Sequence, residues 1–200
     1  MKVTMRGAAE LMKASWKFRN VKDGVWVFGS ARTLPGTPAF EAARKFGYLV
    51  AAEGVPILTG AGPGIMEAAA KGAYENGGVT MGLAIDLPME QRIPPYHTHV
   101  LEFKYFFTRK LSGVQKAKAF VAFEGGFGTI DEVFEVVTLM QCGKTSKRPV
   151  VLVGRDYWSG LLKWVEDSML FAGNIGSKDL ELITLVDTAE EAMKVIEEVK

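Results

Sequence analysis

Short, mostly apolar runs recur along this chain, and helical periodicity follows most of them. Val25-Trp26-Val27-Phe28, Val55-Pro56-Ile57-Leu58-Thr59, Val79 to Ile85, Val100-Leu101-Glu102-Phe103, Ala119-Phe120-Val121-Ala122-Phe123, Pro149 to Val153 and Leu182 to Val186 read as strands. After the first of these, Phe40, Ala43, Gly47, Val50 and Ala51 recur at helical spacing, behind a Thr37 cap and Pro38. Ile65 to Glu75, Tyr105 to Lys118, Val133 to Gln141, Tyr157 to Phe171 and Thr188 to Lys200 also read as helices, and Met5 to Phe18 precedes the first strand. A strand with one wet face alternates apolar and polar residues. A strand apolar throughout is covered on both faces, as in parallel sheets. Alternating strands and helices with right-handed crossovers then predict a doubly wound α/β fold, with about six to seven parallel strands and helices on both faces.

Composition bounds what such a fold can do. The 200 residues are expected to form one domain, 1–200. A net charge of +1 argues against a basic nucleic-acid surface. The longest charge-free stretch, Gly54 to Met66, contains prolines and glycines and is too short to span a membrane. Arg6, Glu10, Lys13, Lys17 and Arg19 interrupt the N-terminal segment, so no signal-peptide apolar region is expected there. The one cysteine, Cys142, precludes an intramolecular disulfide. A soluble cytoplasmic protein is the simplest expectation.

Ligands of doubly wound sheets bind at the carboxyl ends of strands, near the topological switch point. Glycine turns follow three of the expected strands: Gly29-Ser30, Gly60 to Gly64, and Gly125-Gly126-Phe127-Gly128. The last run continues as Thr129-Ile130-Asp131-Glu132 into a helix. Glycine permits φ > 0 and close approach of a ligand, and a helix N-terminus offers free N–H groups to an anion, most often phosphate. The competing explanation of Thr129 to Glu132 is a capping box, in which the threonine and glutamate satisfy each other's backbone donors. Thr188-Ala189-Glu190-Glu191 has the same spacing with no glycine run before it, so spacing alone does not decide.

Other motifs fail on inspection. Gly60-Ala61-Gly62-Pro63-Gly64-Ile65 has Ile65 where a dinucleotide fingerprint needs glycine or alanine, although Asp86 lies where a ribose-binding acid would. Gly143-Lys144-Thr145 lacks the upstream glycine of a P-loop, having Thr138 there. His97 and His99 have no further partners for a metal set, and Cys142 has no evident base. No metal and no organic cofactor is expected. Arg109-Lys110 could be a solvated basic pair; neighbours in a helix point about 100° apart, so both can hardly serve one site.

Together these pieces resemble the Lonely Guy (LOG) family of cytokinin-activating phosphoribohydrolases, whose older label is "possible lysine decarboxylase". The resemblance runs from about Phe28 to Val153. It is carried by Phe28-Gly29-Ser30-Ala31-Arg32, Thr59 to Ala69, Leu87-Pro88-Met89-Glu90-Gln91, Phe107-Thr108-Arg109-Lys110, and Gly125 to Glu132. It implies a Rossmann-like fold, a homodimer or larger assembly, and hydrolysis of the N-glycosidic bond of an adenosine 5′-monophosphate derivative (AMP or a cytokinin riboside 5′-monophosphate). It also implies Arg109 and Glu132 as catalytic residues. Substrate-binding positions would be Gly29, Ser30, Gly62, Met66, Glu67, Lys110, Gly125, Gly126, Gly128 and Thr129. The family's glycine motif begins with proline; here Glu124 stands in that place. That departure keeps open a non-catalytic nucleotide or phosphorylated-cofactor binder on the same fold. A pyridoxal-phosphate decarboxylase would need a Schiff-base lysine, and Lys110 is the only one near these motifs.

Overall fold

The computed structural model describes residues 2–87 and 92–198. It contains helix α1 (Lys2–Phe18), then β1 (Gly24–Phe28), α2 (Pro38–Ala52), β2 (Ile57–Thr59), α3 (Ile65–Glu75), β3 (Thr80–Ile85) and β4 (His99–Phe103). There follow α4 (Phe106–Lys116), β5 (Ala117–Ala122), α5 (Phe127–Gln141), β6 (Val150–Val153), α6 (Arg155–Trp164), α7 (Ser177–Leu180), β7 (Thr184–Val186) and α8 (Ala189–Glu197). One 7-stranded sheet runs β4-β3-β2-β1-β5-β6-β7, and every pair in it is parallel. No helix among the described residues is long and apolar enough to cross a membrane.

The apolar runs explain the layering. Val25 and Val27 of β1 and Ala119 and Val121 of β5 face a core shared with α2, α3 and α8. The alternate residues, Trp26, Phe28, Phe120 and Ala122, face a second core shared with α1, α4, α5 and α6. Successive side chains of a strand point to opposite faces, so a strand apolar at every position supplies both cores. Trp26 stands edge-on to Phe28 at 4.8 Å between ring centroids. Each such fully buried large side chain contributes about 1.5–3 kcal/mol.

The chain builds outward from β1 to β4 on one side, then returns to place β5 on the other side of β1. The switch point therefore lies between the carboxyl ends of β1 and β5, where Gly29-Ser30 and Glu124-Gly125 emerge. The Phe123 N–H donates to Phe28 O at 3.0 Å and the Ser30 N–H to Glu124 O at 2.9 Å, which ties the two turns together.

Several expected boundaries move. Helix α4 ends at Lys116 and β5 begins at Ala117, with no connecting loop, where the sequence predicts helix to Lys118. The helix expected over Tyr157 to Phe171 winds as α only to Trp164 and continues as a π-helix, Val165–Leu170. The largest change is at α5, which starts at Phe127.

Candidate active site

A cleft of about 900 Å³ opens over the switch point. Gly29, Ser30 and Arg32 from the β1 turn form one wall, and Glu124 to Thr129 from the β5 turn and α5 form another. Gly60 and Met66 come from the β2 turn and α3, Arg109 from α4, Glu132 from α5, and Tyr157 from α6. The three glycine turns of the sequence thus meet at one site.

The capping-box reading of Thr129 to Glu132 is corrected here. The N-cap of α5 is Gly126, with no side-chain cap, so Thr129 is already inside the helix and Glu132 lies beyond its first turn. The first N–H groups of a helix have no intrahelical acceptor, and glycine supplies none at this end. They carry the positive end of the helix dipole. The expected role of the glycines also changes. Positive φ among the described glycines occurs at Gly36, Gly54, Gly64, Gly77, Gly143, Gly154 and Gly173, so Gly125, Gly126 and Gly128 serve space rather than handedness. A Cβ on Gly125 would lie 2.1 Å from Thr129 Oγ1, whereas Gly126 and Gly128 face open space within 4 Å. The first lets the turn pack; the other two leave room for a ligand.

At the floor, Arg109 Nη2 donates to Glu132 Oε1 at 2.6 Å, and both side chains are almost covered. Helix α4 is anchored for this by Glu10 of α1, whose carboxylate accepts from the Lys104 N–H and the buried Thr108 hydroxyl. The Arg109 guanidinium also sits 5.4 Å from the Phe106 ring centroid. Its Nε is buried without a hydrogen-bond partner among the described residues. Burial pushes the Glu132 carboxyl up to about 7, outweighing the opposing pull of Arg109. Desolvation penalises the anion more than one cation restores it. Near neutral pH this carboxyl is poised between its two forms.

Lys110 takes a different direction from its neighbour, as helical geometry requires. Its Nζ bridges Asp131 Oδ2 at 3.1 Å and Glu135 Oε2 at 3.0 Å. Burial would lower the Lys110 pKa, but hydrogen bonds to Glu135 and Asp131 win and raise it. A Schiff-base lysine needs the opposite shift. Lys110, Gly62 and Glu67 are not among the residues lining the cleft. Of the block Leu87 to Gln91, Leu87 lines the cleft and 88–91 lie outside the described residues.

Glu124 is half-buried at the cleft wall and forms no ion pair among the described residues. His97 is held apart from the site, with Nε2 3.0 Å from Thr59 Oγ1 and Nδ1 3.1 Å from Pro94 O; burial lowers its pKa. Tyr157 is one of the cleft residues that the sequence motifs do not mark. It follows β6 after a single glycine, Gly154 (φ 105°), rather than a glycine run, although it too lies just past the carboxyl end of a strand.

Comparison with known proteins gives the chain its relatives. Residues 66–196 match the family described as "Possible lysine decarboxylase". A bifunctional cytokinin biosynthesis protein of Fusarium pseudograminearum is 27% identical over 195 residues, covering 87% of this chain but only 40% of that protein. A cytokinin riboside 5′-monophosphate phosphoribohydrolase of Mycobacterium marinum is 27% identical over 156 residues, 77% of this chain and 83% of its own length. Among solved structures, the molybdenum cofactor binding protein of Rippkaea orientalis superposes with a TM-score of 0.67 at 23% identity, covering 90% of this chain and 98% of that one. The molybdenum cofactor carrier protein of Chlamydomonas reinhardtii gives 0.66 at 25%, covering 89% and 98%.

Proposed function

This chain belongs to the possible lysine decarboxylase family, which is the LOG family, and from that premise we propose that it hydrolyses the N-glycosidic bond of an adenosine 5′-monophosphate derivative. The products are the free base and ribose 5-phosphate. The observation that carries the reading is the buried Arg109–Glu132 pair on the floor of the cleft, beside an uncapped helix N-terminus. One element suits a carbohydrate cation and the other a phosphate, and the substrate contains both.

The 5′-phosphate rests on the first-turn N–H groups of α5, with the Ser30 and Thr129 hydroxyls beside it. As the bond from C1′ to the base nitrogen lengthens, positive charge develops on the ribose. The Glu132 carboxylate stabilises that charge and accepts a proton from the water that attacks C1′. The electron pair of the broken bond leaves on the base nitrogen, which takes its proton from solvent. A guanidinium is not a general acid in proteins, so this role does not fall to Arg109. It orients Glu132 through Nη2. Met66 lines the ribose or base region. The protein works as a cytoplasmic homodimer or larger homo-oligomer, a reading supported by the family resemblance and by the exposed Met5, Met12 and Trp16 on α1.

The test is direct. The purified protein is incubated with AMP and with its N6-isopentenyl analogue, and free base is followed by chromatography. Release of base from either supports the reading; ligand-induced stabilisation with no product sinks it. That second result would favour a non-catalytic binder of a nucleotide or phosphorylated cofactor. The unpaired Glu124 carboxylate at the cleft wall is what speaks for this alternative, since a carboxylate near phosphate opposes its binding.

A further inference from the structure

The β5–α5 turn presents backbone carbonyls as well as N–H groups, and a carbonyl facing an anion repels it. Two of these carbonyls are taken up by other elements. Glu124 O accepts from the Ser30 N–H at 2.9 Å, and Gly125 O accepts from the Tyr157 hydroxyl at 2.5 Å. The second contact changes what the helix can do. In the α5 ladder, Ile130 N–H donates to Gly126 O at 3.1 Å. One residue earlier, Gly125 O is the acceptor that the Thr129 N–H would take in a continued helix. Tyr157 occupies that acceptor from outside.

Tyr157 is well placed to hold it. Its ring packs edge-on to Trp158 at 4.9 Å, and Trp158 is buried in the core. Helix α6 is pinned at its start by Gly154 N–H to Val186 O, 2.8 Å, and by Arg155 to Asp187, 2.9 Å. The hydroxyl is therefore a point fixed by the β6–β7 side of the sheet, while the same residue lines the cleft and is 47% exposed.

We propose that Tyr157 is a positioning residue for the substrate's phosphate: its hydroxyl holds the Gly125 carbonyl, so that the first-turn N–H groups of α5, Thr129 included, are left for the phosphate monoester. The inference rests on the phosphoribohydrolase reading and extends it to a residue from α6. It concerns the phosphate arm alone, which separates it from a general structural role.

The test is Tyr157→Phe, which removes one oxygen and keeps the ring. Ribose 5-phosphate and inorganic phosphate are measured as ligands of wild type and variant by calorimetry, and KM and kcat are measured with AMP or its N6-isopentenyl analogue. A hydrogen bond of ordinary strength predicts about a five- to tenfold rise in KM and in the Kd for ribose 5-phosphate. The expected kcat stays within about twofold and the melting temperature within about 3 °C, as for a substitution that leaves the core intact. Adenine, which carries no phosphate, should bind both proteins equally. Unchanged ribose 5-phosphate affinity in the variant overturns the proposal. So does equal weakening of adenine and ribose 5-phosphate, or a collapsed melting temperature, since either marks a structural role. Failure of the wild type itself to bind ribose 5-phosphate and to release base instead overturns the functional reading on which the proposal stands.

Discussion

Helices α5 and α8 both carry Thr-x-x-Glu near their starts, and the chain uses the two quite differently. At α8, Thr188 is the N-cap and accepts the Glu191 N–H at 3.1 Å, while Glu191 Oε2 accepts the Thr188 N–H at 3.2 Å. Two donors of that helix end, the Thr188 and Glu191 N–H groups, are satisfied within the chain. At α5 the glycines let the helix begin at Phe127, upstream of the threonine. Thr129 becomes a buried helical residue, the N-terminal donors have no side-chain cap among the described residues, and Glu132 is carried past the first turn to meet Arg109. One local pattern thus closes a helix in one place and opens a site in the other. The residues before the pattern decide which.

The sharpest way to break this contrast is to neutralise each glutamate. Glu132→Gln should lower kcat by about 10²- to 10⁴-fold, read as ribose 5-phosphate released, whereas Glu191→Gln should leave kcat unchanged. The pH profile sharpens the same point. Glu132 acts as the anion, so kcat/KM should fall as pH drops below about 7, the value to which burial raises this carboxyl. The decline should approach tenfold per unit in wild type. A flat profile through that region would show that Glu132 is not the titrating base.

A smaller effect is expected from crowding the open helix end. Gly125→Ala sets a Cβ against Thr129 Oγ1. Overpacking of this kind costs about 1–3 kcal/mol, so ribose 5-phosphate should bind on the order of tenfold more weakly. Calorimetry that found unchanged affinity would detach the turn from phosphate binding. The smallest effect belongs to the closed end. Thr188→Ala removes a true cap and should cost about 1 kcal/mol, seen as a melting temperature lower by about 2–4 °C with full activity.

The sheet was legible because its signal is redundant. Val25 to Phe28 and Ala119 to Ala122 are apolar at every position, which only a strand covered on both faces requires. The glycine turns after β1, β2 and β5 could be placed at strand ends for the same reason. The α5 boundary resisted because the capping rule is local, while the turn before it is set from a distance by Ser30 and Tyr157. The α4 end resisted because Lys116, Ala117 and Lys118 suit a helix equally well, and only pairing with β1 draws Ala117 into the sheet. The π-helix after Trp164 resisted because apolar spacing cannot see a bond such as Phe171 N–H to Glu166 O, 3.2 Å. Within the site, Glu132 stands out beside the glycine run, whereas Arg109 is found through family resemblance, since nothing local announces a partner 23 positions away.

The missing loop between α4 and β5 makes that interval a ruler. From Arg109 the chain runs through helix, strand, a four-residue turn and helix to Glu132, with no slack in which length could vary. Even the turn, 123–126, is fastened at Phe123, Glu124 and Gly125. One added residue would rotate a helix by about 100° or flip a strand face for face. Changes of chain length should therefore gather at the opposite rim of the sheet, around the open turns at Gly54, Gly77 and Gly143, and spare this stretch.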